Sequence, residues 1–490
     1  MNEPVSRESI EPVLPFDLQL PATRGGLRQA LHTQLRTAIL DGRLAAGTPL
    51  PATRTLADAY RIARTTVVGA YDLLMGEGYV LSRPGARAVV APVQARRASP
   101  PRPSRHAGDE CLNPIWRAPF APFTPGQLPQ RCFRLGIPEH QHFPHDIWRR
   151  LWATQLRAWS RRGSFSYAPG AGIAALREAI ASHVAFARAV ACKPDSIIVT
   201  SGAQQAFDLL ARVLVTPGQT RVAVEEPGYP PLRATFAAAG ARLVHVPVDG
   251  EGMRVDRLPA DVRVIAVTPS HQSPMGSVLS MQRRLALLEF ARRHNAVVIE
   301  DDYDGEFRFG GRPLDALQTL DRDDSVFYIG TFSKSLFPAL RKGFIVAPAW
   351  ARNALLAVKS CADAHSDAVG QAVLAAFIRE GHMARHVRHM RPIYARRREA
   401  LLAGLEGPLS PWFEPLPCEA GLHLAARIRD PDATDRVIAA VRQHTPGAQP
   451  VSDYANDPQA CVAAVSFGYG VIDEEDISVA LHSLADALAR

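Results

Sequence analysis

Apolar positions along this chain follow two rhythms. At Leu27, Leu31, Leu35 and Ile39 they recur every four residues, which predicts an amphipathic helix ending near Asp41-Gly42. Thr53 is placed to cap a short helix through Tyr60, and Arg61-Ile62-Ala63 reads as a tight turn. A second helix starts at Arg64-Thr65-Thr66, buries Val67, Ala70, Tyr71 and Leu74, and ends at Gly76 and Gly78. The runs YVLS and RAVV then pair around Arg83-Pro84-Gly85-Ala86 as a hairpin. From Phe133 onward the rhythm changes. IIVT (197–200), VAVE (222–225), LVHV (243–246), VIAVT (264–268), AVVIED (296–301) and SVFYIG (325–330) are near-continuous apolar runs. Helical stretches such as GAQQAFDLLARVL and MQRRLALLEFARRHN lie between them. Strands buried on both faces and joined by crossover helices explain that alternation, so an α/β domain with a mostly parallel sheet is expected.

The length of 490 residues suggests two to four domains at roughly 100–200 residues each. Hydrophobic residues make up 47% and charged residues 21%, which excludes wholesale disorder. Residues 92–132, rich in Pro and Arg, cannot build a core and read as a linker between domains at 20–91 and 133–490. No apolar run reaches the ~18 residues of a membrane span. The acidic, proline-broken start carries no export signal, so a cytoplasmic protein is expected. Six scattered cysteines without a CxxC pair disfavour a zinc or other metal site and a disulfide framework. The net charge of +8 permits an acidic partner without requiring one.

Helix, helix-turn-helix and hairpin wing make a DNA-reading shape. The exposed first turn of the second helix offers the Arg64 guanidinium, the Thr65 and Thr66 hydroxyls and helix-terminal amides, which suit phosphate and base-edge contact. A solvated dimerisation module is the plainer alternative. Charge alone would not exclude it, because residues 1–91 hold 10 Arg against 8 Asp and Glu. The segments GTPLPATR and ARTTV and the wing glycine resemble the winged helix of GntR-family regulators over residues 20–91. The resemblance implies contact with a double-stranded DNA operator through Arg54, Arg64, Thr65, Thr66 and Gly85. It departs at Val68, where many members carry arginine; Arg87 is the nearby substitute.

Of the 56 basic residues only Lys193, Lys334, Lys342 and Lys359 are lysines, so amine chemistry has four candidates. Lys193 lies in a polar turn, Lys359 in a helical stretch with a surface position expected, and Lys342 directly follows Arg341. Lys334 follows an apolar strand among Thr331, Ser333 and Ser335, well placed to form an imine with a phosphorylated aldehyde. An exposed loop lysine would look the same in isolation. Asp301, at another strand end, can hold a pyridinium nitrogen protonated, and Tyr303 can hydrogen-bond a phenolate oxygen. Ser201, Gly202, Ala203 and Gln204 form a small-residue turn before a helix, a phosphate site. Tyr229 can stack on a flat cofactor, and Arg341 can reach the same phosphate.

The order of these residues resembles fold type I aminotransferases across residues 133–490. The resemblance implies pyridoxal 5'-phosphate on Lys334, the catalytic lysine, and a smaller C-terminal α/β subdomain. FRLGIPEHQHFP, SYAPGAGIAALREAI and TPSHQSPMG extend the match. By resemblance the first lies near the substrate mouth, and Tyr167 reaches the cofactor phosphate of a neighbouring subunit in a head-to-tail dimer. The third matches the segment that touches the cofactor's phenolic oxygen, with Gln272 or His271 replacing the usual asparagine. A GntR-like winged helix joined to such a domain resembles the MocR subfamily, with TPSHQ, EDDYDGEF and GTFSKSLFPALRKG as its marks.

That resemblance implies a transcription factor that binds pyridoxal phosphate and senses an amine, an amino acid or the cofactor itself. Two other readings stand beside it: an active aminotransferase with a DNA-binding appendage, and a regulator whose second domain is only a dimerisation scaffold. Lys334, Asp301 and Arg341 argue against the scaffold. The strand CVAAVSFGY lacks the arginine with which aminotransferases grip an α-carboxylate, and Pro231 stands where GABA-responsive relatives place another. At most weak transaminase activity is therefore expected.

Overall fold

The computed structural model describes residues 13–21, 26–82, 87–92, 111–116, 129, 131–161, 166–310, 315–459 and 461–490. The chain forms two compact units, residues 1–118 and 119–490. The expected linker holds that division, although Cys132, at its end, is buried in the second unit.

In the first unit, α1 (Leu27–Leu40), α2 (Thr53–Ala59) and α3 (Arg64–Gly76) precede an antiparallel pair, β1 (Val80–Leu81) and β2 (Val89–Val90). Leu31, Leu35, Leu56, Val67, Ala70 and Leu74 are fully buried, as the four-residue spacing requires. Thr53 does not cap α2. Ala52 holds that position, and Thr53 sits in the first turn, where its hydroxyl accepts from Arg64 Nε at 3.4 Å. The Tyr71 hydroxyl donates to the Pro51 carbonyl at 2.9 Å, fixing α3 against the turn before α2.

The second unit opens with α4 (His145–Arg161) and α5 (Ala174–Arg188). Its large sheet contains β3 (Ile197–Thr200), β4 (Arg221–Glu226), β5 (Arg242–Asp249), β6 (Gly252–Met253), β7 (Val264–Val267), β8 (Val297–Asp302), β9 (Val326–Thr331) and β10 (Gly343–Val346). The helices among these strands are α6 (Ala203–Leu214), α7 (Pro230–Ala238), α8 (Met281–His294) and α9 (Leu317–Leu320). The strand order is β3-β10-β9-β8-β7-β4-β5-β6. Pairings from β5 through β4, β7 and β8 to β9 are parallel, as the apolar runs predict. Every residue of β3, β7 and β9 is buried, the mark of strands covered on both faces.

The short β6 is antiparallel to β5, and β10 is antiparallel to both β3 and β9. No long helix separates β9 from β10, so the chain turns straight back. The return segment carries Lys334 and Arg341 and keeps them at the edge where the parallel strands end. Register makes that edge a row: Thr200 and Thr331 both lie opposite Gly343, and Asp302 lies opposite Gly330.

After the sheet come α10 (Arg352–Ala362), α11 (Ala368–Arg379) and α12 (His382–Glu406). A smaller antiparallel sheet, ordered β11-β12-β14-β13, is built from β11 (Phe413–Pro415), β12 (His423–Ile428), β13 (Gln449–Pro450) and β14 (Ala464–Gly468). It packs with α13 (Thr434–His444) and α14 (Glu474–Ala489) into the C-terminal α/β layer. Among the described residues no helix is long and apolar enough to cross a membrane. All six cysteines are free thiols.

A buried ion pair braces the turn that leaves β8. Arg188 Nε lies 2.5 Å from Asp302 Oδ2, and the same guanidinium donates to Ser270 Oγ at 2.6 Å and the Gly305 carbonyl at 3.3 Å. The Tyr328 hydroxyl donates to Asp302 at 2.7 Å. Charges this deep are tolerated because each is paired and hydrogen-bonded.

Candidate cofactor site and DNA-reading surface

Three kinds of chemistry meet at the carboxyl edge of the sheet. The first is an amine. Lys334, just beyond β9, donates from Nζ to the Gly136 carbonyl at 2.7 Å. Gly136 has φ +67°, and a Cβ there would lie 2.7 Å from Nζ, so this close approach requires glycine. Burial holds the Lys334 amine below the ordinary lysine range; Asp304 and Asp301 pull the other way, and Arg134 adds to the lowering. Thr331 and Ser333 order the loop, the threonine hydroxyl donating to Ser333 Oγ at 3.0 Å and accepting from Ser333 N at 3.2 Å.

The other lysines are engaged elsewhere or in solvent. Lys193 is exposed. Lys342 is buried and reaches Asp367 at 3.4 Å. Lys359 is not at the surface as expected: it is fully buried, with Nζ held by Asp363 at 2.8 Å and Ser366 at 3.1 Å.

The second chemistry is a buried carboxylate. Asp301 is 4% exposed at the end of β8, and its Oδ1 has no hydrogen-bond partner. Burial, with Asp302 adding, pushes its pKa up to about 8, while Lys334 opposes. An orphaned buried carboxyl oxygen is costly unless a donor arrives, and a protonated ring nitrogen is such a donor. With a folded pKa near 8 and an unfolded value of about 3.9, stability is lost as pH rises between them. Asp301→Asn should therefore flatten that loss in the cofactor-free protein while weakening cofactor retention. Melting curves from pH 4 to 9, with cofactor content measured alongside, check both; a variant that loses stability and keeps full cofactor content would contradict the assignment.

The third chemistry is an anion cradle. Gly202, with φ +83°, precedes α6, whose first amides at Ala203 and Gln204 have no acceptor within the helix. Arg341 sits in the left-handed region at φ +48° and donates to the Ser201 carbonyl at 2.7 Å. A Cβ on Gly202 would lie 3.0 Å from its guanidinium, so cation and helix terminus face one space. The Gln204 side chain is turned to Thr235 at 2.6 Å, leaving its backbone amide as its contribution. Tyr229 is 39% exposed, and the charges of Asp301 and Arg341 both act on its phenol. Tyr167 is 87% exposed.

From sequence, Gln272 and His271 are both candidates for the residue near the phenolic oxygen. Gln272 is committed to its own turn: Nε2 donates to the Pro227 carbonyl at 2.8 Å and Oε1 accepts from Met275 N at 3.0 Å. His271 instead touches Tyr303, with Nδ1 at 3.1 Å from the hydroxyl. Asp304, Cys418 and His423, which surround His271, were not singled out from sequence. On β14, Ser466 is fully buried and its hydroxyl donates to the Pro274 carbonyl at 2.9 Å.

In the first unit Arg54, Arg64 and Thr65 are exposed and Thr66 half-buried, on α2 and the first turn of α3. Val68 is 37% exposed on α3, where its methyls could meet a thymine methyl. Gly85 lies outside the described residues.

Comparison with known proteins agrees with both halves. The family described as aminotransferase class I and II matches residues 136–444, and that of bacterial regulatory proteins, gntR family, matches residues 27–90. The chain is 36% identical to the probable rhizopine catabolism regulatory protein MocR of Rhizobium meliloti, over 97% of this chain and 95% of that one. It is 30% identical to the HTH-type pyridoxine biosynthesis transcriptional regulator PdxR of Corynebacterium glutamicum, over 94% and 95%. Among solved structures it resembles kynurenine aminotransferase from Pyrococcus horikoshii in complex with PMP, with TM-score 0.67, 26% identity, and 73% and 90% coverage. A winged helix of the gntR type and an aminotransferase domain, matched together over nearly the full length of such regulators, place this chain in the MocR subfamily of GntR-family transcriptional regulators.

Proposed function

We propose that this protein is a DNA-binding transcriptional regulator that takes pyridoxal 5'-phosphate and responds to an amine, an amino acid or the cofactor itself. The observation that carries this reading is the set of three complementary features on one sheet edge. Lys334 offers an amine, Asp301 an unpartnered carboxylate, and Arg341 with the α6 N-terminus an anion cradle. When bound, pyridoxal phosphate supplies an aldehyde that exchanges amines and a ring that withdraws electrons. Lys334 would anchor it, Asp301 would hold the ring nitrogen, and Tyr303 the phenolic oxygen. Ser201, Gly202, Ala203, Gln204, Thr331, Ser333 and Arg341 would hold the phosphate end, with Tyr229 against the ring.

Regulation would run through a population shift. An effector can move operator affinity only if it binds two states of the protein unequally. The exposed Tyr167 fits a role in the pocket of a second subunit, which supports a head-to-tail homodimer; the cytoplasm is its proposed compartment. Arg54, Arg64, Thr65, Thr66 and Gly85 would meet the operator.

Primary catalysis is the second reading, and β14 speaks against it. The strand Ala464–Gly468 carries no arginine to bind a carboxylate, and the hydroxyl of its buried Ser466 is spent on Pro274. One bidentate charge-assisted pair is worth about 1.5–3 kcal/mol, so its absence costs ~10–150-fold in carboxylate affinity. Turnover with common L-amino acids and 2-oxoglutarate should be far below about 1 s⁻¹. A coupled assay for the keto acid checks this, and steady turnover at or above that rate would promote the aminotransferase reading.

A further inference from the structure

Behind Tyr303 lies a set of groups that the cofactor contacts do not require. His271, from the loop after β7, is fully buried and has both ring nitrogens engaged. Nδ1 lies 2.9 Å from Asp304 Oδ2 and 3.1 Å from the Tyr303 hydroxyl, and Nε2 lies 3.5 Å from Cys418 Sγ. The ring fills a slot that only a glycine leaves open: Gly421 has φ +82°, and a Cβ there would lie 2.0 Å from it.

Proton positions follow from the acceptors. Asp304 Oδ2 also accepts from Leu422 N at 3.3 Å, and His271 Nδ1 carries a hydrogen toward the same oxygen. The Cys418 thiol donates to the Ala420 carbonyl at 3.1 Å, which leaves sulfur lone pairs to accept from Nε2. With both nitrogens donating, the ring is an imidazolium. Burial opposes that charge; Asp304, the strongest influence in its favour, and the hydrogen bond to the Cys418 sulfur push the His271 pKa up. The other titratable group against the ring is His423 on β12, with centroids 4.3 Å apart; burial, His271 and Lys334 hold it neutral. The Tyr303 oxygen therefore accepts part of the Nδ1 hydrogen bond, and its own proton is directed away from His271.

We propose that His271, held as a cation between Asp304 and Cys418, is a positioning residue that turns the Tyr303 hydroxyl proton into the cofactor pocket and favours negative charge on the cofactor's phenolic oxygen. This rests on the pyridoxal phosphate reading of the pocket. A positive charge and a fixed donor at that oxygen disfavour a further proton on the bound cofactor. Removing either raises the pH at which the bound cofactor gives up its proton.

The test is a pH titration of the visible absorption of full-length, cofactor-loaded protein, with bound cofactor quantified in each sample. His271→Gln and His271→Asn should each raise the midpoint by about one pH unit, a tenfold change in proton affinity. In a Tyr303→Phe background, His271→Gln should add less than half of that shift. Midpoints unchanged in whichever of the two single variants stays folded and loaded would overturn the proposal. So would a full shift from His271→Gln without the tyrosine hydroxyl, because the histidine would then not act through Tyr303. Zinc retained at one equivalent per chain after dialysis would also overturn it, since a metal would occupy nitrogen that here donates a hydrogen bond. A wild-type protein that never takes up cofactor would instead sink the underlying pocket reading, which separates the two failures.

Discussion

Lys334→Ala should lose all borohydride-fixable cofactor while keeping its fold. Lys193 is in solvent, and Lys342 and Lys359 face the carboxylates of Asp367 and Asp363. Lys334 alone couples to the site's own groups, since Asp304, Asp301 and Arg134 all act on its amine. A lysine held below its ordinary pKa spends more time as the free base, the form that attacks a carbonyl. Alanine removes the amine and leaves the Arg341 cradle and Asp301 in place, so reversible, dialysable binding should survive. Mass spectrometry after reduction reads the result. A cofactor mass still fixed to Lys334→Ala would show the lysine to be misassigned and would move attention to Lys342.

Truncation to residues 1–91 should weaken operator binding by roughly 10²–10⁴-fold relative to the full chain. The first unit has its own core of Leu31, Leu35, Leu56, Val67 and Leu74, so it should fold and retain weak, salt-sensitive binding. What it loses is the second winged helix that a dimer brings to the other half-site. Within the full chain, Arg64→Ala should cost about 1–3 kcal/mol if its guanidinium reads a base edge. It would also free Thr53, whose hydroxyl the Arg64 side chain holds at 3.4 Å. Fluorescence anisotropy at two salt concentrations measures both effects. Equal affinity for the truncated and full-length proteins would remove the dimer from the account, and unchanged affinity in Arg64→Ala would remove α3 from the DNA.

The parts of this architecture legible in sequence are those governed by local pattern. Strands buried on both faces must be apolar throughout, so β3, β7, β8 and β9 announce themselves, and residues that follow them, such as Lys334, inherit a position at the sheet edge. The direction of β10 is not local. Its four residues read like the others, and only the missing crossover helix before Gly343 makes it antiparallel. Lys359 reads as a surface lysine because its burial comes only once α10 packs against α6, where Gln205 joins the local partners Asp363 and Ser366 around its amine. His271 is the strongest case. Asp304 lies 33 positions away and Cys418 lies 147 away, so nothing in TPSHQ reveals that the imidazole has two acceptors. The spacing of Asp301, Tyr303 and Lys334 marks the site, whereas the groups that set protonation within it are assembled by tertiary structure.

On the proposed reading the aminotransferase-like pocket controls DNA binding. The most direct measurement follows operator affinity and the visible spectrum in the same sample while candidate amines are added to cofactor-loaded protein. An amine that changes the spectrum is expected to change operator affinity by about 5–150-fold, the range of a coupling free energy of 1–3 kcal/mol. Operator affinity that stays the same in cofactor-free, cofactor-loaded and amine-treated protein, while the spectrum changes, would contradict the claim.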